Sequence, residues 1–195
     1  MHDITDNSTA LAPEVTTCLE MTAPQQLRRR DAAGLSVMQV PATDWDTGRN
    51  LYLEVGAPWH WIDRLHWGEE RWRARYASPG VQLWTGSVGT QVAGYFELDS
   101  ADAETELAYF GLRPDFIGRG LGGALLTLAV ERAWATGSRR VWVHTSDRDH
   151  PAALANYIAR GFSVYATERT LTPMTVRPPG AARPAAEALP ASSSS

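Results

Sequence analysis

Glycine dominates one short segment of the sequence, Gly118-Arg-Gly-Leu-Gly-Gly123, in which four of the six residues are glycine. The segment follows an apolar, strand-like stretch that ends at Leu112, and it leads directly into a helix-like stretch from Ala124. Backbone N–H groups that carry no bulky side chains can turn together toward an anion at the positive end of a helix. The sequence therefore predicts a binding site for a phosphorylated ligand in this loop.

The same glycines permit two other interpretations. Gly118, Gly120 and Gly123 match the G-x-G-x-x-G pattern of dinucleotide-binding folds, with Asp147 as a downstream acidic residue. That pattern needs its glycines directly after the strand, whereas residues 113–117 intervene here, and little chain remains for the further βα units of such a fold. The second alternative is a glycine-rich turn that only packs a helix on a sheet.

Two segments of the sequence form recognisable motifs. The first is the strand and loop of residues 106–122, which contains Ile117, Gly120 and Gly122, and the second is the His-Pro…Tyr…Gly-Phe segment of residues 150–162. Together they resemble the GCN5-related N-acetyltransferase superfamily. The family pattern of Arg or Gln, two residues, Gly, one residue, Gly or Ala falls on Ile117, Gly120 and Gly122, and the second segment is similar to the family's Asn-Pro…Tyr…Gly-Phe helix. Both motifs occur in the expected order and at the expected distance, which makes the combination specific.

The resemblance covers about residues 15–172 and implies that acetyl-CoA is the co-substrate. Ile117 departs from the family pattern, in which Arg or Gln is usual, and His150 stands at the usual Asn. Arg119 could supply the missing cation, or it could be a solvent-facing charge. The residues that the resemblance assigns to acetyl-CoA binding are Phe110, Leu112, Ile117, Gly118, Arg119, Gly120, Leu121, Gly122, Gly123 and His150.

Acetyl transfer to an amine has chemical requirements that this sequence can meet. An alkylammonium of pKa near 10.4 must lose a proton before it can attack, the developing oxyanion must be stabilised, and the leaving thiolate should be protonated. By resemblance, Glu106 is the general base, the Leu112 N–H meets the acetyl carbonyl, and Tyr157 protonates the sulfur. The strand near Leu112 would splay from its neighbour and free backbone groups for pantetheine.

Each assigned catalytic residue also has a structural interpretation. Glu106 could be an ordinary carboxylate on a strand face, and Tyr157 could pack on its own helix. His144 could relay a proton, although a lone strand histidine is more often structural. Cys18 lies on a different predicted strand, which argues against an acetyl-cysteine intermediate and for direct attack in a ternary complex. Asp147, Asp149 and His150 favour helix capping over a metal site, so no metal is expected.

Tryptophan is concentrated between Trp45 and Trp72, where five of the eight tryptophans of the chain lie. Aromatic walls suit an amine with an apolar or cationic group, while ordinary core packing explains them equally well. Glu20, Glu54 and Asp63 could each anchor a cationic acceptor, and the sequence does not select among them.

These motifs need a mixed α/β scaffold to position them. Apolar periodicity and turn residues predict strands at 16–21, 35–40, 81–85, 92–98, 104–112, 140–144 and 162–171, and helices within 45–76 with a break near 56–58, at 121–136 and at 151–160. This order predicts a central mixed sheet of the acetyltransferase type with an antiparallel N-terminal half and about four flanking helices.

Composition limits the function classes. The chain has 195 residues, a net charge of −4 and one cysteine, which disfavours a nucleic-acid partner and a disulfide framework and fits a cytoplasmic protein. The basic triplet Arg28-Arg29-Arg30 is interpreted as a solvated turn. Residues 1–14 and the Pro/Ala/Ser-rich residues 173–195 are expected to be disordered tails around one domain, and no segment predicts a membrane span or a secretory signal.

The sequence thus predicts an acetyl-CoA-dependent N-acetyltransferase that acts on an amine, with a small molecule as the expected acceptor. A protein or peptide acceptor remains an alternative, as does a non-catalytic acyl-CoA-binding sensor domain. A homodimer is compatible with the sequence. The acceptor itself, and the acyl-chain preference, are left open.

Overall fold

The computed structural model describes residues 11–173, which form one mixed seven-stranded sheet with two helices on each face. The strand order across the sheet is β2-β3-β4-β5-β6-β1-β7. The strands are β1 (Leu11–Met21), β2 (Leu35–Val40), β3 (Val81–Val88), β4 (Gln91–Ala101), β5 (Glu104–Leu112), β6 (Arg140–Ser146) and β7 (Ser163–Pro173). The helices are α1 (Trp45–Gly56), α2 (Glu69–Ala77), α3 (Leu121–Trp134) and α4 (Ala153–Ala159).

The predicted fold class is confirmed, and the predicted elements all occur with shifts at their ends. Strands β2 to β5 form an antiparallel meander, as expected for short connections between alternating apolar segments. The Trp-rich segment is split into α1 and α2 as the Gly56-Ala-Pro58 break indicated. Among residues 11–173, no helix is long and apolar enough to cross a membrane.

The N-terminal strand does not belong to the antiparallel meander that follows it. Strand β1 lies between β6 and β7 and is antiparallel to both, at the opposite end of the sheet from β2. Its pairing with β7 runs from Leu11, opposite Pro173, to Glu20, opposite Ser163. The predicted tail boundaries are therefore wrong for residues 11–14 and for Pro173, because ladder pairing orders them; the rest of both predicted tails lies outside the described residues.

The two faces of the sheet bury different chemistry. The face under α3 and α4 is apolar, and its fully buried side chains come from both halves of the sheet and from α3: Leu19, Met21, Phe96, Leu98, Leu125, Leu126, Val130 and Val141. The face under α1 and α2 combines aromatic residues with charge. Its members include Tyr52, Trp72, Tyr76 and Tyr95, and each is at most 4% exposed.

Glu97 is the centre of the charged cluster under α1 and α2. Its side chain is fully buried and accepts two hydrogen bonds of 2.8 Å from the guanidinium of Arg64. Arg75 and the Tyr76 hydroxyl donate to the same carboxylate, at 2.6 and 2.9 Å. Burial acts to raise the pKa of Glu97, but the hydrogen bonds and charge of both arginines outweigh it and lower that pKa.

Candidate active site

A wedge-shaped opening separates β5 from β6. These strands are parallel, and their pairing is confined to residues 104–106 of β5 and 140–142 of β6. Beyond Glu106 and Trp142 the two strands no longer hydrogen-bond to each other. The backbone N–H and C=O groups that face the gap are therefore free to bind a ligand. The Arg113 N–H donates to Ala93 on β4, and strand alternation turns the groups of Leu112 and Phe110 toward the opening. The structure thus has the splay that the sequence predicted beside Leu112.

A β-bulge at Ala108 decides which side chains of β5 share a face. Leu107 pairs with Leu98, but the next paired residue, Tyr109, lies opposite Glu97, so one residue of β5 is left over. Leu107 consequently joins the apolar core under α3 together with Phe110. Glu106 and Tyr109 point to the other face, toward α1 and α2, although they are three positions apart in the strand.

Glu106 is paired with a histidine. Its Oε1 lies 3.1 Å from Nδ1 of His144, which stands on β6 on the same face of the sheet. The Glu106 side chain is 21% exposed and that of His144 is 50% exposed, so both reach the opening. The hydrogen bond and the charge of Glu106 raise the pKa of His144 against the opposing effect of burial, and the nearby carboxylates of Asp149 and Asp63 add to the rise.

Tyr157 approaches the opening from the other face. Its ring on α4 packs between Phe110 and Phe162, with ring centroids 6.1 and 5.9 Å away. Burial raises the pKa of the Tyr157 hydroxyl, with a smaller contribution from the charge of Asp149, so the hydroxyl keeps its proton at neutral pH. The ring of Tyr157 is therefore packed in the apolar core, and its hydroxyl keeps a proton that it could donate.

The glycine loop has the conformation that its composition requires. Gly118 and Gly120 both have positive φ, 79° and 74°, which an L-residue adopts only with strain. Gly120 is the N-cap of α3, and no side chain among residues 11–173 caps this helix end. The first-turn N–H groups therefore remain available, as an anion site needs. The Ile117 N–H is not available to an anion, because it already donates a hydrogen bond to the Pro114 carbonyl.

The arginines near α3 differ from the predicted arrangement. Arg119 lies over the ring of Phe116, 4.9 Å from its centroid, beside Arg113 and Asp115 on the β4 side of the loop. The polar side chains next to the glycines of the first turn of α3 are Arg30, Asn156 and Arg160. Arg28 to Arg30 are all exposed, as a solvated turn predicts, and Arg30 in addition contacts this helix end. Arg160 lies within the second motif, whereas Arg30 lies outside both motifs and reaches the loop only through the fold.

Aromatic side chains line the α1/α2 side of the opening. Trp61 packs against Tyr109 with ring centroids 5.0 Å apart, and its Nε1 donates to Asp149 at 3.1 Å. Asp149 also accepts from Thr145 and from the Ser146 N–H, so it ties Trp61 to the end of β6. Trp72 is 1% exposed and belongs to the core, as the packing interpretation of the Trp-rich segment predicted.

Among the three acids proposed as anchors, only Asp63 is not paired with an arginine within residues 11–173. Glu20 bonds Arg140 at 2.6 Å and Glu54 bonds Arg113 at 2.7 Å. The Asp63 carboxylate accepts hydrogen bonds from the hydroxyls of Tyr52 and Tyr109 and is exposed. Its charge is therefore uncompensated at the mouth of the opening.

Two other predicted features are placed by the structure. The argument that separated Cys18 from the site is wrong, because β1 inserts beside β6 and sets Cys18 directly opposite His144. His150 caps the start of the α4 region, since its Nδ1 accepts the Ala152 N–H at 3.0 Å, and its ring lies against Trp59. Within the described part of the chain, no three His, Cys, Asp or Glu side chains are grouped to hold a metal ion.

Comparison with known proteins bears on this geometry. Residues 49–162 match the model of the family described as "Acetyltransferase (GNAT) family". The matched segment contains Glu106, the glycine loop and Tyr157. It also contains α2 and most of α1 and of the Trp-rich segment, so β5, β6 and the aromatic side of the opening fall inside the match.

Individual relatives are more distant. The chain is 33% identical over 113 residues to a mycothiol acetyltransferase from Corynebacterium aurimucosum, which covers 53% of this chain and 36% of that protein. A GCN5-related N-acetyltransferase from Sphaerobacter thermophilus has a TM-score of 0.62 at 17% identity, covering 86% of this chain and 55% of that one. One from Kribbella flavida gives 0.61 at 16%, covering 85% and 61%. The chain thus spans well under two thirds of these relatives.

Proposed function

Because the chain belongs to the acetyltransferase (GNAT) family, we propose that it is an acetyl-CoA-dependent N-acetyltransferase that acts on a small-molecule amine in the cytoplasm. Direct attack of the amine on the thioester, within a ternary complex, is the proposed route. Both the acetyltransferase activity of the whole protein and the class of its acceptor are part of what we propose.

The opening between β5 and β6 carries the proposal. It leads from the uncapped, glycine-rich end of α3 to a face where Glu106 and His144 are within hydrogen-bond distance. A phosphorylated carrier could be held at the first location while its thioester reaches the second. The Leu112 N–H, turned into the opening, would donate a hydrogen bond to the acetyl oxygen as negative charge develops there.

Glu106 and Tyr157 divide the proton transfers in this proposal. Glu106, on the acceptor face, would take the proton of the amine directly or through a water molecule. Tyr157, on the opposite face and protonated at neutral pH, would donate a proton to the leaving sulfur. Acetyl-CoA supplies the activated acetyl group, and the remaining work is the positioning and proton transfer done by these side chains.

The proposed acceptor is an amine that also carries a cationic or aromatic-compatible group. Asp63 offers an uncompensated carboxylate at the mouth, beside the rings of Trp61 and Tyr109. A second positive charge on the acceptor would be attracted both by Asp63 and by the faces of these rings. A peptide lysine would satisfy part of this description, which keeps protein acetylation as the alternative acceptor class.

A screen of amines that monitors release of free CoA tests the proposal, with Glu106→Gln as the matched variant. The substitution keeps size and polarity but removes the base, so kcat should fall by about 10²–10⁴ while acetyl-CoA affinity stays near wild type. Turnover of no amine or peptide by a wild-type protein that binds acetyl-CoA would instead favour the sensor domain. An unchanged rate in Glu106→Gln would contradict the assignment of the base.

The position of Cys18 requires a separate control for the direct route. Cys18→Ala should retain the wild-type rate, and mass spectrometry of the protein mixed with acetyl-CoA alone should find no added acetyl group. Loss of activity in this variant together with an acetylated Cys18 in the wild type would replace direct attack with a two-step transfer.

A further inference from the structure

We propose that Arg30 and Arg160 form a phosphate-binding subsite against the first turn of α3, built from two parts of the chain that lie outside the glycine loop. The inference rests on the proposed function, because it assumes that the ligand at the loop is of the CoA type. It adds the cations that the loop itself lacks at Ile117, and it replaces Arg119 in that role.

The contact with the helix is close and specific. A methyl group placed on Gly123 would overlap the terminal guanidinium of Arg160 and the Cδ of Arg30, which is 2.8 Å away. A methyl group placed on Gly120 would lie 3.6 Å from Nη2 of Arg30. The guanidinium of Arg160 and the end of the Arg30 side chain therefore lie where the glycines leave space, at the helix end that no described side chain caps.

The charges of this subsite have no internal partner among the described residues. Neither Arg30 nor Arg160 forms an ion pair there, whereas the adjacent Arg29 pairs with Glu131 and Asp31. The Nε of Arg160 is buried and has no hydrogen-bond partner. Burial and the nearby charge of Arg30 both lower the pKa of Arg160. Two like charges with an unpaired buried donor, beside the positive end of a helix, are a costly arrangement that an anion would relieve.

The position of β1 explains how Arg30 reaches the helix. Because β1 lies between β6 and β7 while β2 is at the far edge, residues 22–34 must cross the α3/α4 face of the sheet. Two hydrogen bonds hold this crossing segment in place. The Arg28 N–H donates to the Arg160 carbonyl at 2.8 Å, and the Arg30 N–H donates to the Thr127 hydroxyl at 3.0 Å. The same segment therefore contacts both helices that carry the subsite.

Phosphate is the group that this site would recognise. A guanidinium presents a planar fork of N–H donors that matches phosphate oxygens, and the helix N–H groups add further donors. CoA carries two sources of this chemistry, the diphosphate and the 3′-phosphate on the ribose. Ligands that lack the 3′-phosphate, or lack both the 3′-phosphate and the diphosphate, distinguish between these two groups.

Calorimetry with CoA, 3′-dephospho-CoA and pantetheine tests the subsite in the full chain. Arg30→Met and Arg160→Met keep much of the apolar stem and remove the charge. Each should weaken CoA binding by at least about tenfold, because charge-assisted hydrogen bonds to a phosphate are lost. Arg28→Met removes the same charge from the same segment and should bind CoA like the wild type.

The melting temperature supplies a second readout. Without ligand, Arg160→Met should melt at or above the wild-type temperature, because a buried unpaired donor and a like-charge contact are removed. The rise in melting temperature that CoA causes in the wild type should shrink in both variants. These two measurements together distinguish a subsite from a general loss of stability.

Each outcome decides the inference. If the two variants lose affinity equally for CoA and for 3′-dephospho-CoA, the subsite binds the diphosphate. If they lose affinity for CoA alone, the subsite binds the 3′-phosphate. Wild-type affinity and an undiminished CoA-induced melting shift in both variants would overturn the subsite while leaving the proposed function intact. A wild-type protein that does not bind CoA would overturn the proposed function itself, and the subsite with it.

Discussion

The two faces of the central sheet contribute to the candidate active site in different ways. Under α3 and α4, apolar side chains are packed in layers, and Tyr157 extends from this core to the opening. Under α1 and α2, a buried carboxylate, Glu97, holds two arginines beneath a group of aromatic rings. Glu106 belongs to this second face. One face therefore supports the proposed acid, and the other supports the proposed base.

The difference shows how each face is kept in place. An apolar core tolerates exchanges of apolar side chains that conserve volume, because burial of surface is not directional. A buried ion cluster depends on every partner, since removal of one leaves a charge without compensation in a low-dielectric site. Arg64 illustrates this dependence: it is 6% exposed, bonds Glu97 twice, and has its guanidinium carbon 4.2 Å from the centre of the Tyr109 ring. The acceptor side should therefore be the more fragile face.

Glu97→Gln should produce the largest effect on stability. It leaves Arg64 buried with a neutral partner, and the free energy of unfolding should fall by about 3–5 kcal/mol, as for other broken buried ion pairs. Urea denaturation measures this change. Glu54→Gln is the matched control, because it breaks a pair whose side chains are 36% and 41% exposed and should cost about 1 kcal/mol or less. Equal costs for the two variants would show that burial of the Glu97 cluster does not make the α1/α2 face more sensitive.

Tyr157→Phe tests the apolar face with a smaller expected effect. The ring and its contacts with Phe110 and Phe162 are kept, so the melting temperature should stay near wild type. If the hydroxyl protonates the leaving sulfur, kcat should fall by about tenfold or more, and by less for a thioester whose thiol is more acidic. A wild-type kcat would make Tyr157 a packing residue only. Lost activity with lost stability would mean that the hydroxyl satisfies a buried partner.

His144→Gln should have the smallest effect, and one that depends on pH. The pKa of His144 is raised in the folded protein, so its charged form stabilises the fold below the unfolded pKa of about 6.5, and this contribution disappears as pH rises through the folded value. Because His144 is half exposed, we expect at most about 1 kcal/mol. Melting temperatures of both proteins between about pH 5 and 9 provide the comparison. A difference in melting temperature that does not change with pH would show that the charge of His144 beside Glu106 does not stabilise the fold.

Local patterns were sufficient for the elements and for the loop. Alternation in Leu35 to Val40 and the glycines of 118–123 act over a few residues, so the strand and the positive-φ loop follow from the sequence itself. The bulge at Ala108 has no comparable local marker. Without it, strict alternation would place Glu106 on the same face as Phe110, whereas the structure separates them. Pairing with β4 decides this, and the pairing of Glu106 with Trp142 on β6 places Glu106 on the face of His144.

Long-range pairing decided the rest of the site. The sequence determined that residues 11–21 include a strand, but only the sheet shows that this strand inserts between β6 and β7 and brings Cys18 opposite His144. Because of the same insertion, residues 22–34 cross α3 and α4. This crossing brings Arg30 of the basic triplet to the first turn of α3. Chain periodicity reports which way each side chain points within its own element. Which elements become neighbours depends on burial and hydrogen bonding summed over the whole fold, and no short segment contains that information.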